Sequence, residues 1–257
     1  MKQVRKTPFT ARSVLASALL GMEPPQLPVA QLVRLTGLFG ISENRARVAL
    51  SRMVAAGEAT TDGEGIYRLA GHLLDRRSRQ TASRAGRTAT YSGQWQVAVI
   101  TTSGSTAEVR LSRRRALAFA RLAELREGVW MRPDNLGTPL PAAVVDDVAG
   151  MSARPADPLG LVDRLWDLAT WSGGARHLIG QLVALSPDGP DALAPGFTLS
   201  AAVLRHLQAD PLLPEELLPP RWPGDELRRV YDRWDGRYRE TLATWSRQGE
   251  RRGGAGP

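Results

Sequence analysis

The sequence predicts an α+β chain that is mainly helical. Three observations carry this. Apolar residues recur at helical spacing over 42–55, 112–125 and 224–246. Residues 94–102 alternate as a strand does, and two short β-prone runs joined by glycine follow the first of those helices. With 257 residues the chain is long enough for one large domain or two to three small ones, each able to bury a core. The expected division is 1–75, a linker over 76–93, a second domain over 94–170, a helical domain over 171–250 and a disordered tail over 251–257.

In chain order, Thr10 caps a helix on which Ala11, Val14, Leu15, Ala18, Leu19 and Met22 form one stripe. Pro24 and Pro25 end it. Pro28 opens the next at a first helical position, with Val29, Leu32, Val33 and Thr36 lining that helix. Gly37 and Gly40 bracket a tight turn, and Ser42 caps a third helix with a hydroxyl able to accept from an orphan amide. There Ala46, Ala49, Leu50, Met53 and Val54 make the apolar stripe, while Asn44, Arg45, Arg47, Val48, Ser51 and Arg52 fill the opposite and flanking surface. Gly57 closes the helix. Strands follow at Ala59–Thr61 and Ile66–Leu69, joined by Asp62-Gly63-Glu64-Gly65.

Helix, turn, helix, wing is the order of a winged helix-turn-helix. Asn and Arg pair bidentately with adenine and guanine edges, and a valine meets a thymine methyl. Asn44, Arg45, Arg47, Val48, Ser51 and Arg52 are therefore the candidate DNA-binding residues of the third helix, with Arg47 nearer the backbone. Arg68 in the wing is the candidate for a phosphate or the minor groove. The alternative is a three-helix core whose arginines merely solvate its surface.

Charge separates the two readings. Residues 1–93 carry 14 Lys and Arg against 6 Asp and Glu, whereas 94–257 carry 20 of each. The whole net charge of +8 thus falls on the segment with the helix-turn-helix pattern, where it would supply salt-dependent affinity for phosphates. The preference for Arg (32) over Lys (2) does not explain why acids are scarce at one end only. No cysteine is present, which excludes disulfides and thiolate metal sites and fits a cytoplasmic location. No run reaches the ~20 apolar residues of a membrane span, and Arg12 and Glu23-Pro24-Pro25 interrupt the only stretch that resembles a signal peptide.

After the wing, residues 75–93 read as a connector or a solvated helix, with Arg76, Arg77 and Arg79 either touching phosphates or simply exposed. From Trp95 the run QWQVAVITT reads as a strand. Ser112 caps a helix with Ala116, Leu117, Phe119, Ala120, Leu122, Ala123 and Leu125 on its apolar side. Strands are expected at Val129–Met131 and Ala142–Val145, and Asp157-Pro158 precedes a helix carrying Leu161, Val162, Leu165, Trp166 and Leu168. Strand, helix, strand, strand, helix suggests a ferredoxin-like domain. Helices are expected at Phe197–Gln208 and Gly224–Ser246. On the last, Leu227, Val230, Tyr231, Trp234, Tyr238, Leu242 and Trp245 form a stripe that either pairs two subunits or fills a core.

Catalytic constellations do not emerge. His72, His177 and His206 lack metal-ligand spacing, Asp146-Asp147 are adjacent residues that point apart, and no phosphate-binding glycine loop is present. The chain is therefore expected not to be an enzyme and to need no cofactor or metal.

Three stretches, ISENRARVALSRMVAAGEA with its wing GIYRLAG, GQWQVAVITT with LSRRRALAFARLAELREGVWMRPDNL, and LRHLQADPLLPEELLPPRWPG, resemble in this order the PaaX family of bacterial transcriptional regulators. The family's named member represses phenylacetate catabolism. The resemblance implies an N-terminal winged helix, a central domain similar to the Cas2 nucleases and a helical C-terminal domain. It further implies a homodimer on a palindromic double-stranded DNA operator, released by an aromatic acyl-CoA effector. Trp130, Arg132, Arg176, Arg205 and His206 offer the cations and apolar surface such an effector needs. The stretch from Trp171 to Asp191 is richer in glycine and poorer in aromatics than the family's usual pattern. The alternative implied by the Cas2 likeness is a metal-dependent nucleic-acid-processing enzyme, but its first strand ends in Thr101-Thr102-Ser103-Gly104, without the acids a hard cation requires. The expected function is that of a dimeric, DNA-binding repressor of a catabolic or biosynthetic operon.

Overall fold

The structure, a computed structural model, describes residues 9–253, with side chains through Gln248. Its elements are α1 (Ala11–Leu20), β1 (Gln26–Pro28), α2 (Val29–Gly37), α3 (Glu43–Ala55), β2 (Ala59–Thr61), β3 (Ile66–Leu69), α4 (His72–Ala85) and β4 (Trp95–Ile100). There follow α5 (Ala107–Phe119), β5 (Ala123–Arg126), β6 (Val129–Pro133), a 3-10 turn over Ala142–Asp147, β7 (Val148–Ala153), α6 (Pro158–Leu165), α7 (Leu168–Ala184), α8 (Leu193–Gln208) and α9 (Gly224–Gly253). The fold is α+β, with two small antiparallel sheets. Two compact units result: residues up to Arg84 with Leu178–Gln208 and the chain from Arg229 onward, and Ala85–His177 with Ala209–Arg228. Residues 171–250, expected as one helical domain, are shared between them.

In the first unit α1, α2 and α3 enclose a core of Leu15, Leu19, Leu32, Leu35, Leu50 and Met53. β3 lies between β1 and β2, with Leu27 opposite Tyr67 and Thr60 opposite Arg68. Thr10 caps α1 as its side chain predicts, Oγ1 accepting from the Ser13 amide at 3.1 Å. Pro28 is the residue before α2 rather than its first turn. Ser42 stands at the N-cap of α3 in extended backbone, but among the described residues its hydroxyl takes no capping bond. That end of α3 is exposed, so water can serve its amides. The stretch 75–93, expected as a connector or a solvated helix, is helix α4 up to Ala85.

The stripe on α9 is internal. Tyr231, Trp234 and Tyr238 are buried, the Trp234 indole N–H donates to Leu185 O at 2.8 Å, and the Tyr238 hydroxyl donates to Leu193 O at 2.8 Å. Gly196 makes the close approach possible, because a Cβ there would stand 2.5 Å from the Tyr238 ring. These residues thus fill a core. Burial also pushes the Tyr231 hydroxyl far above its ordinary range, with Asp235 adding to the shift. Of the tail expected over 251–257, residues 251–253 belong to α9, and 254–257 lie outside the described residues.

The second unit holds a four-stranded sheet in the order β5-β6-β4-β7, every neighbouring pair antiparallel. On one face Leu117 of α5 packs with Leu122, Val144 of the 3-10 turn and Trp130 of β6, while Val162, Leu168, Leu213 and Leu217 cover the other face around Trp95 and Met131. Several expectations need correction. Thr106, not Ser112, caps α5, its Oγ1 accepting from Val109 at 3.3 Å. The helix stops at Phe119, since Arg121 takes φ 64, and Ala123–Arg126 form β5 rather than a last helical turn. Ala142–Val145 form a 3-10 turn, and the strand is Val148–Ala153, because Pro141 offers no amide to a ladder at that point. Trp166 breaks the helix that begins at Pro158, so Leu168 belongs to α7.

Candidate nucleic-acid interface

On α3, Ala46, Leu50 and Met53 are sealed at 0–1% exposure and set the orientation of the whole helix. The opposite arc carries Asn44, Arg45, Arg47, Val48, Ser51 and Arg52, all exposed. Val48, on the same arc, is 43% exposed. Arg45 and Arg52, seven positions apart, fall two turns from one another along one side of the helix. Neither makes an ion pair among the described residues. Arg47 differs: its Nη2 lies 2.7 Å from Glu43 Oε1, one turn earlier. The Ser51 hydroxyl donates to Arg47 O at 3.2 Å, leaving its lone pairs outward.

Between β2 and β3, Asp62 Oδ1 accepts from the Glu64 and Ile66 amides at 3.0 and 3.1 Å, closing the turn that Gly63 and Gly65 permit with φ 85 and 94. Its Oδ2 stands 3.2 Å from Arg68, whose Nε also donates to Gln26 Oε1 at 3.0 Å. Desolvation disfavours the Asp62 carboxylate, but the two amides and Arg68 outweigh it and hold the group below its ordinary value. Arg68 is therefore exposed yet held in place.

Behind α3, Glu58 is buried and receives a two-pronged bond from Arg12 of α1, Nε to Oε2 at 2.7 Å and Nη2 to Oε1. That bond, against the cost of burial, holds the Glu58 carboxyl below its usual range, with His72 at 3.7 Å adding to it. The Glu58 backbone carries the tie onward, its amide donating to Met53 O and its carbonyl accepting from Ala70 at 2.9 Å each.

A basic group absent from the sequence reading also forms in this unit. Burial, and then the like charges of Arg12, Arg205 and Arg79, hold Arg76 below the ordinary guanidinium value. Helices α1, α4 and α8 supply these residues, and no local sequence pattern links Arg76 to Arg205. Arg77, by contrast, is committed to Met22 O at 3.0 Å and to Glu23.

Of the effector candidates, Arg205 and His206 belong to the first unit, and Trp130, Arg132 and Arg176 to the second. Trp130 and Arg132 are buried on the α5 side of the sheet. Arg176 instead lines a cleft of about 720 Å³ with Arg164, Trp166, Asp167, Pro220 and Trp222. There Trp222 stacks on Trp171 at 4.5 Å between ring centroids. Among the described residues, no group of three or more His, Asp or Glu could hold a metal ion. No described helix is long and apolar enough to cross a membrane.

Comparison with known proteins bears on the same segments. Residues 10–73 match the family model of the PaaX-like protein, and residues 170–247 match that of the PaaX-like protein C-terminal domain. Among solved structures, the chain is similar to the uncharacterized protein Rv0674 from Mycobacterium tuberculosis. The two share 40% identity and a TM-score of 0.71 over 91% of this chain and 98% of that one. No curated protein matches. The segment from α1 to β3 and the C-terminal helices thus fall within the matched regions, and the chain belongs to the PaaX family of transcriptional regulators.

Proposed function

We propose that this chain is a DNA-binding transcriptional regulator acting as a repressor, with residues 10–73 forming a winged helix-turn-helix. In this reading α3 enters the major groove, Asn44, Arg45, Val48, Ser51 and Arg52 meet base edges or adjacent phosphates, and Arg47 and Arg68 meet backbone. The observation that carries it is the exposed Asn/Arg/Val arc of α3, set opposite the sealed Ala46, Leu50 and Met53. The order β1-β3-β2 with α2 and α3 before the hairpin supports the wing, and the order β5-β6-β4-β7 supports a ferredoxin-like second unit. The proposal includes a homodimer on a palindromic operator in the cytoplasm, and release by an acyl-CoA-type effector of a catabolic or biosynthetic operon.

Fluorescence anisotropy with the intergenic DNA flanking the gene tests it. Saturable binding that weakens steeply with salt, and is lost in an Arg45→Ala/Arg52→Ala variant that still folds, supports the reading. Binding that ignores both substitutions refutes the role given to α3. Nicking of that DNA in magnesium or manganese would favour the nuclease alternative.

A further inference from the structure

Two residues apart on β6, the indole N–H of Trp130 and the Nη1 of Arg132 are buried donors without an acceptor among the described residues. Both side chains stand on the α5 face of the sheet, opposite Ala98 and Gln96 of β4. Native interiors rarely leave such donors unmade, because each costs its full desolvation. Two on one face point to a missing acceptor.

The surrounding charge says which kind. Arg132 is 2% exposed and makes no ion pair among the described residues. Its Nε donates to Gln96 Oε1 at 3.2 Å and its Nη2 to Thr138 O and Oγ1 at 3.0 and 3.1 Å, all neutral acceptors. Arg121, in the same unit and bonded to the Asp210 main-chain carbonyl, is a like charge that interacts with Arg132. Glu124, opposite Trp130, is engaged by Arg114 at 2.7 Å and by the Gly128 amide at 3.3 Å. The exposed Asp134 favours the Arg132 charge from a distance but makes no ion pair with it, and burial still outweighs that attraction. A buried cation without a close counter-ion is costly, and a neutral water would not offset it. Access is short: Thr138, which covers Arg132, is itself exposed and follows Gly137 at φ 61.

We infer that Arg132 and Trp130 form a buried oxyanion site, taking a carboxylate or phosphate group that enters beneath the loop 134–141. The site is independent of the α3 reading and would stand if DNA binding failed. It narrows the five effector candidates to these two.

The test uses the full chain with ¹⁵N-indole-labelled tryptophan, titrated at constant ionic strength with inorganic phosphate, acetate or phenyl phosphate. The signal missing in Trp130→Phe identifies the Trp130 indole. The expected result is a saturable shift of that signal and slower hydrogen exchange at it. Arg132→Gln should abolish the response, and Arg132→Lys, which keeps the charge without the fork, should weaken it roughly tenfold. Trp130→Phe should weaken the anion-dependent rise in melting temperature without removing it. Tighter binding of phenyl phosphate than of phosphate would mark the anion as part of a larger ligand, and equal binding a free ion. No response to any of the three, or a response unchanged in Arg132→Lys and Arg132→Gln, overturns the proposal. A merely structural Arg132 would alter stability equally with and without anion.

Discussion

Helices α3 and α5 are both 13 residues long, amphipathic and rich in arginine, yet α5 buries one arginine and pairs another, whereas α3 buries none and pairs only Arg47. On α5, Arg113 is buried and donates to Asp147 Oδ2 at 2.9 and 3.1 Å, to Thr102 at 2.9 Å and to Ser105 at 3.2 Å. Arg114 is paired with Glu124. On α3, Arg45 and Arg52 have no ion pair among the described residues and point away from the Leu50 core. Arginine density therefore does not mark an interface by itself. Arg115 on α5 is likewise exposed without an ion pair among the described residues, so what sets α3 apart is that its unpaired Arg45 and Arg52 share an exposed arc with Asn44, Val48 and Ser51.

The largest effect expected from this contrast is on the scaffold of α3. Leu50→Ala, at a fully buried position, should cost about 2–5 kcal/mol in denaturant unfolding and take DNA binding down with it. Arg113→Ala should destabilise the second unit by about 1–3 kcal/mol through its lost charged hydrogen bonds. The same variant should leave the salt slope of DNA binding unchanged. If that substitution weakens DNA binding as much as Arg45→Ala does, the contrast between the helices fails.

Single substitutions of Arg45 or Arg52 by Ala should each cost about 1–3 kcal/mol of binding and relax specificity at one base pair. A uniform loss over all sequences with a shallower salt slope would reassign that arginine to phosphate.

The pH dependence of stability sharpens the scaffold side. Folded Glu58 ionises at a lower pH than an ordinary glutamate because Arg12 holds its carboxylate. Its contribution is therefore complete above the ordinary carboxylate range and is lost as pH falls through the folded value. Thermal melts of Glu58→Gln should lie below wild type at neutral pH and converge with it in acid. Curves that stay parallel would show that Glu58 is not the group titrating. The smallest effect belongs to the exposed Glu43–Arg47 pair, where Glu43→Gln should change stability by only about 0.3–0.5 kcal/mol.

How much of this was legible in the sequence follows from the physics of each element. The α3 stripe was readable because Ala46, Leu50 and Met53 obey a single period, and its polar arc followed by subtraction. β1 was not, because three residues, the last of them Pro28, carry no periodicity, and only β3 gives them a partner. Ala123–Arg126 read equally well as helix, since the break at Arg121 is a positive φ on a residue that does not announce it. Val144-Val145 suggested a strand through β-branching, whereas the small residues of β7 suggested nothing, and pairing with β4 decided both. The grouping of Arg76 with Arg205 and the unmet donors of Trp130 and Arg132 depend on tertiary contacts, which no local pattern encodes.

The most direct measurement is the affinity of the intact chain for its flanking intergenic DNA as a function of salt, for wild type and for Arg45→Ala/Arg52→Ala. A steep wild-type slope and a loss of roughly 30-fold or more in the double variant, with an unchanged melting temperature, would bear out α3 as the reading helix. Equal affinities for the two proteins would contradict it.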